Sequence, residues 1–146
     1  MKMENKRDLV DVLQEAKVFY LATADAEPEG KPHVRPFGAV VRYDGKTWFC
    51  TGKWKNVYAQ IMANANIEIS ATIEGERGPE IVRASGYAVF EDNQGAKDAM
   101  FESMPELKRM YADKLDQFMV FYLIGQPARV YSMDGTVREE VEVIKS

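Results

Sequence analysis

The sequence predicts a mainly β, α+β fold: a mostly antiparallel barrel of about seven or eight short strands with two to four inserted helices. Three observations lead there. Short β-branched and aromatic runs recur along the chain, among them "VFYLAT", "TWFCT", "IVRASGYAVFE" and "QFMVFYLIG". Turn chemistry separates them in "DAEPEGK", "YDGK", "EGERGPE" and "MDG". In "NIEISATI", Ile67, Ile69, Ala71 and Ile73 alternate with polar partners, the mark of a half-buried strand. Closure into a barrel is the economical arrangement, because it removes exposed strand edges.

Taken in order, residues 5–17 carry Leu9, Val10, Leu13 and Ala16 at helical spacing, with Asn5 placed to cap the helix. Residues 18–23 form the first strand, and 25–31 a turn. "HVRPFGAVVRY" reads as one strand running into an Asp44-Gly45 hairpin, with "TWFCT" returning beside it. Val57, Tyr58, Ile61 and Met62 give a helix over about 56–64 one apolar stripe. Residues 94–112 are helical, with Pro105 suited to a first turn. Three closing strands follow, the last two joined at Asp134-Gly135, and the final one, "TVREEVEVI", forms an outer edge.

Composition excludes several classes of function. The chain has 146 residues, 46% hydrophobic and 29% charged, with a net charge of −4. That balance does not drive phosphate neutralisation on nucleic acid. No apolar run is long enough to span a membrane, and the charged N-terminus has no signal-peptide core. The single cysteine, Cys50, suits a reducing, cytoplasmic setting. With His33 as the only histidine, a His/Cys zinc site or a serine triad is a poor fit. "DGKT" contains Gly-Lys-Thr, but Val40 stands where a phosphate loop needs glycine. No side chain is assigned as catalytic, and no metal is expected; enzymatic chemistry here would come from an organic cofactor.

Two segments suggest where a ligand binds. In "CTGKWKNVYAQI" a strand hands over to a helix through Thr51, Gly52, Lys53, Lys55 and Asn56. Helix N-terminal amides, a glycine and lysines together suit a phosphate group, the alternative being a capped helix with solvated lysines. In "HVRPFGAVV", Arg35 shares a face with Phe37, Ala39 and Val41, and an arginine in such a row needs a counter-charge if it is buried, the alternative being an edge strand whose arginine reaches water. Pro36 and Gly38 make that strand irregular or open to a ligand. Phe37, Trp48 and Trp54 offer aromatic faces to a planar group, although Trp48 equally suits the core. Met100, Met104 and Met110, with Phe101 and Tyr111, read as core packing or as an adaptable substrate-facing lid. Cys50 reads as an inert thiol, and His33 as a surface histidine.

The order "FYLATAD…GKPHVRPFGAVVRYDGKTWFCTGKWKNVYAQIMANANIEISA…IVRASGYAVFED" resembles the pyridoxamine 5'-phosphate oxidase-like, FMN-binding split-barrel family. The resemblance implies one split-barrel domain over residues 1–146, binding FMN across a homodimer interface and acting on a small molecule. It places Arg35, Pro36, Phe37 and Gly38 along the flavin, and Cys50 and Thr51 at its ring and ribityl chain. Lys53, Lys55 and Asn56 fall at the FMN phosphate, with Arg83 as a further contact to the flavin or its phosphate, from the same subunit or the other. Tyr122 falls at the flavin, and Arg129 and Tyr131 at the substrate. Departures from the oxidases, Ala65 after Asn64 and Met133 in place of a basic residue, argue against specific pyridoxamine phosphate oxidation. The family resemblance leaves three roles open: FMN oxidoreductase, a non-catalytic flavin or tetrapyrrole module, or a deazaflavin protein.

Overall fold

The computed structural model describes residues 7–143. Nine strands form one sheet: β1 (Phe19–Ala24), β2 (Pro32–Phe37), β3 (Val41–Tyr43), β4 (Lys46–Gly52), β5 (Asn66–Gly75), β6 (Gly78–Phe90), β7 (Phe118–Gly125), β8 (Ala128–Ser132) and β9 (Val137–Val141). Among the described residues four α-helices are inserted: α1 (Leu9–Ala16), α2 (Asn56–Ala63), α3 (Gln94–Ser103) and α4 (Glu106–Met110). Every strand pairing is antiparallel, in the order β2-β1-β5-β6-β7-β4-β3. None of the described helices is long and apolar enough to cross a membrane.

The long strand β6 divides the sheet. One edge pairs with β5 from Gly78 to Tyr87; the other pairs with β8 at Glu80–Arg83 and with β7 at Gly86–Phe90. At the division Gly86 faces Gly125, and a Cβ on Gly86 would lie 2.1 Å from the Ile124 carbonyl oxygen. Glycine is required there by close backbone approach.

Side-chain alternation builds two cores. Ile67, Ile69, Ala71 and Ile73 of β5 turn inward as expected and meet Leu9, Leu13 and Phe19 in the main core. β4 is covered on both faces: Phe49 joins the main core, while Trp48 and Cys50 join a second one closed by α3 and α4. Trp48 is wholly buried and donates from Nε1 to the Tyr43 carbonyl at 2.9 Å, so its ring is unavailable to a ligand.

Two expectations are corrected. Asn5 lies outside the described residues, and Asp8 caps α1: its carboxylate accepts from the Asp11 amide, and the Asp11 side chain accepts from the Asp8 amide. The single strand expected from His33 to Tyr43 is broken over residues 38–40, with β2 paired to β1 and β3 paired to β4. Pro36 lacks an amide hydrogen and Gly38 carries no side chain, so the chain leaves one edge of the sheet here and joins the other. The Asp44-Gly45 hairpin is present, with φ of 50° and 70° suiting a type I′ turn.

Candidate functional site

The break between β2 and β3 opens a groove of about 320 Å³. Arg35, Pro36, Phe37 and Gly38 form one wall, and Cys50, Thr51 and Lys55 form the floor. The far wall is Met104, Leu107, Met110 and Tyr111, with Glu106 on it. A second depression of about 480 Å³ shares Arg35, Pro36 and Lys55 and adds His33, Asn56 and Gln60. Both volumes are typical of small-molecule sites, roughly 300–1,000 Å³.

The cationic end rests on Arg35, which points inward with His33 and Phe37 from alternate positions of β2. Arg35 Nη1 donates to the Leu21 carbonyl at 3.2 Å and to Thr23 Oγ1 at 3.0 Å, and Nη2 donates to Gln60 Oε1. Among the described residues no carboxylate pairs with it. Burial without a counter-ion pushes its pKa down from the ordinary arginine value. Lys55 is the N-cap residue of α2 and makes no side-chain cap hydrogen bond, which leaves the helix's first amides facing the same place. Arginine, lysine and a helix start therefore line one site, and among the described residues no carboxylate forms an ion pair with either cation.

Neutral groups occupy the other end. Burial pushes the Cys50 thiol up to about 12, against a smaller opposing pull from Lys55. Burial, with Cys50 nearby, raises the Tyr111 phenol to about 12. At neutral pH both keep their protons, so neither is a base. The methionines divide between the two roles expected of them: Met100 is fully buried in the second core, while Met104 and Met110 line the groove.

The structure brings together Arg35, Pro36, Phe37, Gly38, Cys50, Thr51, Lys55 and Asn56. The remaining expected residues lie elsewhere in the chain. Lys53 is exposed, tied by its backbone amide to the Gln117 carbonyl at 2.8 Å. Tyr122 packs edge-on against Trp48 at 5.0 Å, away from the groove. Arg83, Arg129 and Tyr131 line a separate depression, where Arg83 pairs with Glu68 and Arg129 lies 3.6 Å from Glu140. His33 is a partly exposed histidine of β2, with its Nε2 2.9 Å from Asp25 Oδ1. Trp54 stays half-exposed, tilted on Tyr111 at 5.4 Å with Lys114 Nζ 4.5 Å above its ring.

Sequence reasoning missed Gln60 and Thr23, both bonded to Arg35. Gln60 follows Asn56 by one helical turn, and that polar spacing on α2 was the available signal.

An antiparallel barrel divided along one long strand, with a groove at its strand-to-helix junction, defines a split-barrel protein. The family model described as pyridoxamine 5'-phosphate oxidase matches residues 6–136, and the chain belongs to that family. A NimC/NimA family protein from Clostridium acetobutylicum is similar at 32% identity, over 88% of this chain and 85% of that one, with a TM-score of 0.74. HutZ, the heme storage protein from Vibrio cholerae, shares the fold at 20% identity over 82% of this chain and 91% of that one, with a TM-score of 0.61. A heme binding protein from Mycobacterium smegmatis does so at 16% identity over 92% of this chain and 55% of that one, with a TM-score of 0.68. A search of curated protein sequences finds no match.

Proposed function

We propose that this protein binds FMN noncovalently as a cytoplasmic homodimer and is an oxidoreductase acting on a small molecule. The observation that carries the proposal is Arg35: a half-buried guanidinium with no carboxylate partner, beside Lys55 and the start of α2, at the mouth of an apolar groove. A buried cation without a counter-ion calls for an anionic ligand, and a phosphate fits the donor set of guanidinium, ammonium and helix amides. Arg35, Lys55 and Asn56 would hold the phosphate; Phe37, Gly38, Cys50 and Thr51 would border the rest of the ligand.

Bound FMN supplies two-electron transfer between a reductant and an acceptor. The chain's part is to bind and orient the flavin, and to keep water from the apolar wall formed by Met104, Leu107 and Met110. The protonated Tyr111 hydroxyl serves as a hydrogen-bond donor. Two of the fold's neighbours are named for heme; the apolar groove here, with Arg35 and Lys55 at one end, suits a planar ligand that carries a phosphate.

The outward face of the sheet supports the dimer. Val34, Tyr87 and Ile124 are 66%, 57% and 54% exposed, and Tyr87 and Ile124 edge a broad depression of about 630 Å³. Apolar exposure of this kind marks an interaction surface.

The test is the visible spectrum of the purified protein, followed by titration of the apoprotein with FMN. Flavin bands, or saturable FMN binding, are expected. A Soret band with no flavin binding would favour the tetrapyrrole alternative. For a protein that binds flavin, photoreduction without oxygen separates enzyme from store: an enzyme's reduced flavin is rapidly reoxidised by some acceptor, a store's only slowly by all.

A further inference from the structure

Gln60, on α2, is the side chain that holds Arg35 from across the depression they both line. Its Oε1 accepts from Arg35 Nη2 and also from Thr23 Oγ1, the latter at 2.9 Å. The Thr23 hydroxyl in turn accepts from Arg35 Nη1 at 3.0 Å. A closed set of hydrogen bonds therefore joins α2, β1 and β2, with the Leu21 carbonyl as a further acceptor. Every acceptor in it is uncharged. Three guanidinium hydrogens are used, and the Nε–H and the second Nη2 hydrogen have no partner among the described residues. Gln60 and Arg35 both line the depression that also holds Lys55.

The identity of position 60 matters because glutamate has nearly the same shape. A carboxylate at Oε1 would complete an ion pair with Arg35 and neutralise the charge that a phosphate needs. The amide fixes the same geometry and leaves the positive charge uncompensated. Orientation alone does not require Gln60 to touch Arg35, since its bond to Thr23 already ties α2 to β1.

We infer that Gln60 is a positioning residue that presents Arg35, fully cationic, to the ligand's phosphate, and that it sets the preference for FMN over riboflavin. This rests on the FMN reading of the groove. Thr23 completes the arrangement from below.

The experiment compares FMN and riboflavin affinities by fluorescence quenching for the wild type, Gln60→Glu and Gln60→Met. Wild type is expected to prefer FMN by about 10–100-fold, the range for charge-assisted phosphate contacts. In Gln60→Glu that preference is expected to fall roughly tenfold or more, with riboflavin affinity unchanged, because only the phosphate competes with the new carboxylate. In Gln60→Met, which keeps side-chain length without a strong acceptor, it is expected to fall by a few-fold. General damage to the fold would weaken both flavins alike, so the ratio separates positioning from structure. If Gln60→Glu does not fold, Gln60→Met carries the test, and an unchanged ratio there overturns the inference. A wild type that prefers FMN beside a Gln60→Glu variant with the same preference overturns the inference and leaves the FMN reading standing. A wild type that binds neither flavin, or both equally, overturns the phosphate seat and this inference with it.

Discussion

Arg35 and Lys55 are alike in charge and differ in how they are held. Arg35 is fixed by three hydrogen bonds, whereas the Lys55 ammonium makes no hydrogen bond or ion pair among the described residues and lies over the Trp54 ring, 5.9 Å from its centroid. Truncating either is expected to weaken FMN binding by about 10–100-fold, the worth of a charged hydrogen bond. Arg35→Lys should recover less than half of that free energy, because an ammonium cannot reproduce the planar fork. Titration by flavin fluorescence at two salt concentrations checks both points. Cys50 makes a second prediction. With its thiol pushed up to about 12, thiolate is scarce at pH 8, and alkylation of the folded protein should be roughly 10²-fold or more slower than of the unfolded chain. Fast alkylation of the folded protein would contradict an inert thiol. The arginine was legible in the sequence, because a cation in an apolar alternating strand stands out. Gln60 was not: its partner lies 25 residues away, and glutamine on a helix surface is unremarkable until the fold places β2 beside it.

At the level of elements, α1 is held at its start. Asp8 is buried there and receives Arg42 through Nε at 2.7 Å and Nη2 at 2.6 Å, while Arg42 also reaches Asp11 at 2.9 Å. Burial would raise the Asp8 pKa, but the Arg42 hydrogen bonds and charge and the Asp11 amide outweigh it, and the net shift is downward. The folded pKa therefore lies below the unfolded value of about 3.9. The stabilisation is complete above about pH 5 and is lost as pH falls through the folded pKa. Asp8→Asn keeps the cap and removes the ion pair. It is expected to cost about 2 kcal/mol at pH 7, or roughly 4–8 °C in Tm for a chain of this size. Denaturation at pH 7 and pH 3.5 checks this, the gap between wild type and variant narrowing in acid. A gap that stays constant with pH would mean that the loss does not come from the ionised Asp8 carboxylate, and no gap at all that Asp8 acts only as a cap. The helix was legible from its apolar spacing, but that spacing fixes a face and not a first residue, so the start was misplaced. The break between β2 and β3 was legible only as irregularity in Pro36 and Gly38. That it opens the groove depends on β2 and β3 joining opposite edges of the sheet, which is a non-local property.

At the scale of the whole molecule, the mostly antiparallel character of the sheet followed from turns and alternation, but the strand order and the division along β6 did not. β7 and β8 share one edge of a 13-residue strand, and nothing in an alternating run says where one partner ends. The outward apolar face was equally hidden, since Tyr87 and Ile124 look like core residues until the pairing turns them outward. That face also bears on the site. Its depression shares Glu68, Ser85 and Gln126 with the one holding Arg83, Arg129 and Tyr131. A second copy covering the face would thus lie against the expected residues that are absent from the groove of a single chain. Ile124→Glu places a carboxylate on an exposed position, so the chain's own stability should change little, while burying that charge opposes dimerisation. Sedimentation is expected to give twice the chain mass for wild type and once for the variant, with FMN affinity falling alongside. A variant that remains dimeric removes this face as the interface. A monomer that binds FMN as tightly as wild type would show that Arg83, Arg129 and Tyr131 take no part, and that the groove of one chain is sufficient.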